Sequence, residues 1–90
     1  MNKSKFKNTE ELYEAIDELA ELLKKEGHGK YGDKLVDLVH NTAWTTGSEL
    51  LGELNAFLNT ISEPVKRDTR KLINECKYFC SNYRRIMGLY

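Results

Sequence analysis

The stretch Asn8-Thr9-Glu10-Glu11-Leu12-Tyr13-Glu14-Ala15-Ile16-Asp17-Glu18-Leu19-Ala20-Glu21-Leu22-Leu23-Lys24-Lys25-Glu26-Gly27 contains every signal of a self-contained amphipathic helix. Asn8 followed three residues later by Glu11 fits a capping box, with the Asn8 side chain accepting from the Glu11 amide and Glu11 reaching back to the first backbone donor. Leu12, Ile16, Leu19 and Leu23 recur at three- and four-residue intervals, with Ala15, Ala20 and Leu22 beside them, while Glu14, Asp17, Glu18 and Glu21 take the other side. Lys24 and Lys25 fall in the last turn, where cations suit the negative end of the helix dipole, and Gly27 and Gly29 stop the helix. The pattern predicts a helix over about 9–26.

Working outward, the loop Gly27-His28-Gly29-Lys30-Tyr31-Gly32 leads to Asp33, read as the cap of a short second helix with Leu35, Leu38, Val39 and Ala43 inside. Thr45-Thr46-Gly47-Ser48 supplies turn residues and hydroxyl caps, of which Ser48 is preferred. Leu50, Leu51, Leu54, Phe57, Leu58 and Ile61 then form a third stripe over about 48–61. Ser62 is read as the cap of the last helix, with Pro64 in its first turn, where its missing amide hydrogen costs nothing. On that helix Leu72, Cys76, Phe79 and Tyr83 descend one face, flanked by Val65, Thr69, Ile73, Cys80 and Ile86. Four helices joined by short loops are expected to form an all-α antiparallel four-helix bundle. No alternating strand pattern, hairpin signal, internal repeat or low-complexity segment competes with this reading.

Ninety residues, 40% apolar and 31% charged with a single proline, are the balance of one globular domain. Met1-Asn2-Lys3-Ser4-Lys5-Phe6-Lys7 is basic like the start of a secretory signal, but polar residues follow where an apolar region is required. Residues 1–8 are therefore expected to be a flexible basic arm and 9–90 a single helical domain. No run approaches the ~20 apolar residues of a membrane span, so the expected location is the cytoplasm and no membrane partner is expected.

Fourteen basic and fourteen acidic residues cancel, so any electrostatic function must come from their distribution. Residues 9–26 carry seven acids against two lysines, and 64–90 carry seven bases against Asp68 and Glu75, so the two segments have net charges of −5 and +5. These helices could attract each other along their flanks, or each could face a partner of opposite sign. The candidate protein-binding face is Glu10, Glu14, Asp17, Glu18 and Glu21. The alternative is nucleic-acid binding through Lys66, Arg67, Arg70, Lys71, Lys77, Arg84 and Arg85. A helix-turn-helix is not expected, because no Lys or Arg lies between Lys34 and Lys66, and Glu49 and Glu53 oppose phosphate. Trp44 and Tyr31 are the candidate aromatic anchors for a partner.

Catalytic and metal signals are weak. Gly47-Ser48-Glu49-Leu50-Leu51-Gly52-Glu53-Leu54 has the two glycines of a phosphate loop but Glu53 and Leu54 where Lys and Ser or Thr are needed, and it lacks the glycine of a nucleophile elbow. Cys76 and Cys80 lie on one helix face, ~5–6 Å apart at Cβ, too far for a disulfide. Zinc held by these cysteines with His28 and His40 is the less favoured reading; reduced core cysteines fit better. His40 is expected to contact Thr45 or Ser48, and His28 to be exposed in its loop. No metal, cofactor or catalytic residue is expected.

The run Ala43-Trp44-Thr45-Thr46-Gly47-Ser48-Glu49-Leu50-Leu51-Gly52-Glu53-Leu54, preceded by Leu22-Leu23-Lys24-Lys25-Glu26-Gly27-His28, resembles a group of small uncharacterised bacterial all-α proteins, some of them similar to immunity proteins of toxin systems. The likeness covers roughly residues 19–58 and departs from the commoner Gly-Gly-x-Gly-Ser form at Thr45-Thr46. It implies a toxin-neutralising or other protein-binding role. Sequence leaves the oligomeric state open.

Overall fold

The Asn8 side chain accepts from the Glu11 amide at 2.9 Å and opens α1, Thr9–Lys25. The Glu11 carboxylate reaches back to the amide of Lys7, one residue beyond the donor of the standard capping box. This description comes from a computed structural model and covers residues 5–43 and 46–88. Leu12, Ala15, Ile16, Leu19, Ala20 and Leu23 form the buried stripe of α1, with Leu22 half-buried. Gly27 has φ +86°, and its amide and that of His28 donate to the Lys24 and Leu23 carbonyls, closing a Schellman turn.

That tight closure corrects the expected start of the second helix. The chain re-enters helix at Gly29, so α2 spans Gly29–Val36 with His28 at the capping position, and Asp33 lies inside it. Asp33 caps nothing; its carboxylate lies 3.5 Å from the Lys24 ammonium of α1. A π-helical turn, Asp37–Asn41, continues α2, burying Leu38 and leaving Val39 half-buried. Ala43 is exposed, because the helix ends before it.

Helix α3, Gly47–Leu58, is capped by Thr46 and not by Ser48: the Thr46 side chain accepts from the Glu49 amide. Ser48 is within the first turn, and its hydroxyl meets the Tyr83 hydroxyl at 2.8 Å. Leu50, Leu51, Leu54 and Leu58 are buried, and Ile61 is buried just beyond the helix end.

The last helix, α4, spans Arg67–Ile86, so the expected start at Ser62 and Pro64 is too early. Its cap comes from another helix. One oxygen of Glu26, at the end of α1, accepts from the Lys66 amide at 2.7 Å, and the other accepts from the Thr69 hydroxyl at 2.5 Å. A carboxylate is favoured at a helix N-terminus, and this one ties the end of α1 to the start of α4. Arg70 fixes the intervening connection by donating to the carbonyls of Ile61 and Glu63, both at 3.0 Å. Near its other end α4 departs from helical geometry at Asn82, whose side-chain amide donates to the Tyr78 carbonyl.

The described residues are helices and connections without strands. Helix α1 packs against α2 and α4, and α3 packs against α4 and the π turn. The radius of gyration is 12.5 Å, close to the ~12 Å of a compact chain this long, and the shortest extent, 19 Å, is about two helix diameters. Phe79, Cys76, Ile73 and the leucines of α1 and α3 fill the space between these layers. Phe6, within the segment expected to be an arm, is buried and meets Phe79 edge-on at 6.4 Å between ring centroids. Among the described residues no helix is long and apolar enough to cross a membrane.

Candidate interaction surfaces

On α1 the helical repeat of about 100° per residue puts Glu10, Glu14, Asp17 and Glu21 within a narrow sector opposite Leu12, Ile16, Leu19 and Leu23. The structure divides the five candidate acids. Asp17 accepts from His40 Nε2, at 2.8 and 3.0 Å to its two oxygens, so the π turn supplies its partner. This replaces the expected contact of His40 with Thr45 or Ser48; Thr45 lies outside the described residues. Glu18 points to the other flank and lines a groove with Lys5 and Lys71. Glu10, Glu14 and Glu21 are exposed, and among the described residues no cation lies within 4 Å of them. They span about 16 Å along the helix.

The basic helix is likewise divided. Arg67 and Lys71 share the side of α4 away from the core with Asn74 and Tyr78, and Lys5 and Glu75 close a concavity of about 490 Å³ there. Lys5 and Glu75 are 4.0 Å apart. Arg70 reaches the same concavity, but its guanidinium is committed to two backbone carbonyls. Arg84 lies over the Tyr83 ring at 5.9 Å, and Arg85 donates to Asn82. Lys77 is half-buried and Lys66 is exposed. Of the seven candidate phosphate contacts, the outward concavity thus gathers two whose charge is uncommitted, Arg67 and Lys71. No ion pair joins the α1 acids to the α4 bases among the described residues.

A third feature was not legible in the sequence. The Gly27–Tyr31 segment and the connection ahead of α4 border an open cavity of about 530 Å³ lined by Gly27, His28, Gly29, Lys30, Tyr31, Phe57 and Glu63. Tyr31 is half-buried, its ring 5.8 Å from Phe57 and 6.4 Å from His28 between centroids. Its hydroxyl donates to Glu63 Oε1 at 2.6 Å. That bond holds the Glu63 carboxyl below the usual carboxylate range and raises the Tyr31 hydroxyl above its own. Glu63 Oε2 is closed off from solvent and, among the described residues, meets no hydrogen-bond donor. His28 is half-buried, not exposed, and its Nε2 meets the Pro64 carbonyl at 3.1 Å. A carbonyl can only accept, so Nε2 carries the proton.

Sequence reasoning also missed Glu26. Its signal was present: an acid beside the last turn of a helix opposes the dipole there, so its position is better explained by service to another element. The Thr69 hydroxyl and the Lys66 amide hold its carboxyl below the ordinary range. Trp44, the other candidate anchor, lies outside the described residues.

Cys76 and Cys80 are free and buried among Leu72, Phe79 and their neighbours. Burial pushes the Cys80 thiol up to about 12 and raises that of Cys76 further. A thiol so held stays protonated near neutral pH and is a poor nucleophile. Among the described residues no three His, Cys, Asp or Glu side chains gather where they could hold a metal ion. No protein-family model, curated protein or solved structure matches the chain.

Proposed function

We propose that the chain is a non-catalytic protein-binding module, an antiparallel four-helix bundle that presents the outer stripe of α1 to a basic surface on a partner protein, the mode by which an immunity protein would occlude a toxin. The order of contacts supports the antiparallel arrangement. Lys24 and Asp17 of α1 meet Asp33 and His40, Phe6 and Glu26 meet Phe79 and Thr69, and Ser48 and Ile61 meet Tyr83 and Arg70.

One observation carries the binding reading: Glu10, Glu14 and Glu21 are exposed opposite the core, and among the described residues no cation lies within 4 Å of them. Such a stripe retains its charge for an outside partner and would speed association with a basic surface. Asp17 is engaged by His40 Nε2, and Glu18 lies toward α4, so the interface centres on the other three. The test is charge reversal of Glu10, Glu14 and Glu21 to Lys, with affinity and association rate measured at two salt concentrations. The triple variant should lose the fast, salt-sensitive association; unchanged affinity and salt dependence would remove α1 from the interface.

A second reading, nucleic-acid binding, is favoured by the concavity holding Arg67 and Lys71 beside Tyr78. Two or three phosphates contacted there would give an affinity loss of only about 10- to 50-fold between ~50 and ~200 mM salt. Engagement of all seven bases would cost several thousand-fold over the same range.

A further inference from the structure

The cavity between the Gly27–Tyr31 turn and Glu63 has a size suited to a small ligand group and a consistent chemistry. Its walls are three aromatic rings, those of His28, Tyr31 and Phe57, with glycine backbone completing them. Its charge is a carboxylate with one oxygen engaged by Tyr31 and the other closed off, without a donor among the described residues. Lys30 also lines the space, but among the described residues no ion pair joins it to Glu63. The surroundings are fixed: His28 is bonded to the Pro64 carbonyl, Arg70 holds the Glu63 carbonyl, and Glu26 holds the Lys66 amide.

Aromatic faces attract cations through the ring quadrupole, and a carboxylate beside them adds a charge that no ring supplies. From this arrangement we infer that the cavity binds an organic ammonium group, seated against the Tyr31, Phe57 and His28 rings and attracted by the Glu63 carboxylate. The attraction to Glu63 acts through space, because Oε2 is closed off and Oε1 is bonded to Tyr31. The inference is independent of the acidic stripe on α1. The ammonium can belong to a free small molecule or to a lysine side chain, methylated or not, of a protein.

The test is a titration of the full isotope-labelled chain with choline, followed through its backbone amide resonances, beside an identical titration with the neutral carbon analogue 3,3-dimethylbutan-1-ol. Saturable choline-induced shifts are expected at Gly27, Gly29, Lys30 and Tyr31, with the neutral analogue binding about tenfold more weakly or not at all. Glu63→Gln keeps an acceptor for Tyr31 and should weaken choline binding by about tenfold, and Phe57→Leu should weaken it several-fold, with helical circular dichroism confirming that both fold. Titration with Nα-acetyl-trimethyllysine methylamide separates the sources: tighter binding than choline identifies a side chain as the ligand, weaker binding a free ammonium compound. Equal binding of choline and its neutral analogue, choline affinity unchanged in Glu63→Gln, or shifts that neither saturate nor cluster at the cavity would overturn the inference.

Discussion

Gly32 offers a substitution whose sign local and tertiary arguments predict differently. It lies inside α2, where replacing glycine by alanine ordinarily stabilises by about 0.5–1 kcal/mol through chain entropy and helix propensity. An alanine Cβ at this site, however, would stand 2.7 Å from the carbonyl oxygen of Ala20 and 3.3 Å from Lys24 Cγ. The lysine carbon can move aside, but the carbonyl belongs to the backbone of α1. The two helices must separate by roughly 0.7 Å to restore ordinary contact, and both carry fully buried leucines, Leu19 and Leu23 on α1 and Leu35 on α2. Overpacking of this kind costs about 1–3 kcal/mol, which offsets or outweighs the propensity gain and leaves Gly32→Ala destabilised by up to about 2.5 kcal/mol. Gly52 is the control: it is exposed in α3, and an added Cβ would meet nothing within 4 Å. Gly52→Ala should therefore gain about 0.5–1 kcal/mol. Urea unfolding followed by helical circular dichroism reads both changes. In thermal melts they correspond to a fall of up to about 20 °C and a rise of about 2–8 °C. A Gly32→Ala protein as stable as Gly52→Ala would refute the close α1–α2 contact.

The Glu26 carboxyl is held below its ordinary value of 4.5, so its protonation favours the unfolded chain. Its contribution to stability should be fully present above about pH 4.5 and be lost as pH falls through the lower folded value, a dependence that melts between pH 3 and 7 should show and that Glu26→Gln should flatten. Phe6 and Phe79 should couple: a double-mutant cycle to leucine in urea unfolding is expected to give about 0.5–1.5 kcal/mol, and zero coupling would place Phe6 outside the core. Phe79→Ala alone should cost about 3–5 kcal/mol, a large part of a small domain's stability. Cys76 and Cys80 should resist a thiol reagent such as dithionitrobenzoate at pH 8 in the folded protein and react at once in denaturant; rapid labelling without denaturant would contradict their burial.

The helices were legible because their apolar stripes and local punctuation agree. Asn8, Gly27 and the leucines of α1 and α3 act within a few residues of where they stand, and each is found in the role that the pattern assigns. What was misread acts over distance. Ser62 and Pro64 are good local signals for the start of α4, but the cap is Glu26, forty residues before Lys66. Asp33 is likewise a good local cap signal, but the Schellman turn has already returned the chain to helix before it. The charged faces were visible as composition, whereas the division of Asp17 to His40 and Arg70 to the connection depends on tertiary neighbours. The aromatic cavity joins residues from three separate segments, and none of them forms a motif by itself.

The most direct test of the proposed role is capture of the tagged chain from its native cells after nuclease treatment, run beside the Glu10, Glu14, Glu21→Lys variant and an Arg67, Lys71→Glu variant. The account predicts a stoichiometric protein partner that survives nuclease, is retained by the α4 variant and is lost by the α1 variant. Retention by the α1 variant, or loss of all bound material on nuclease treatment, would contradict it.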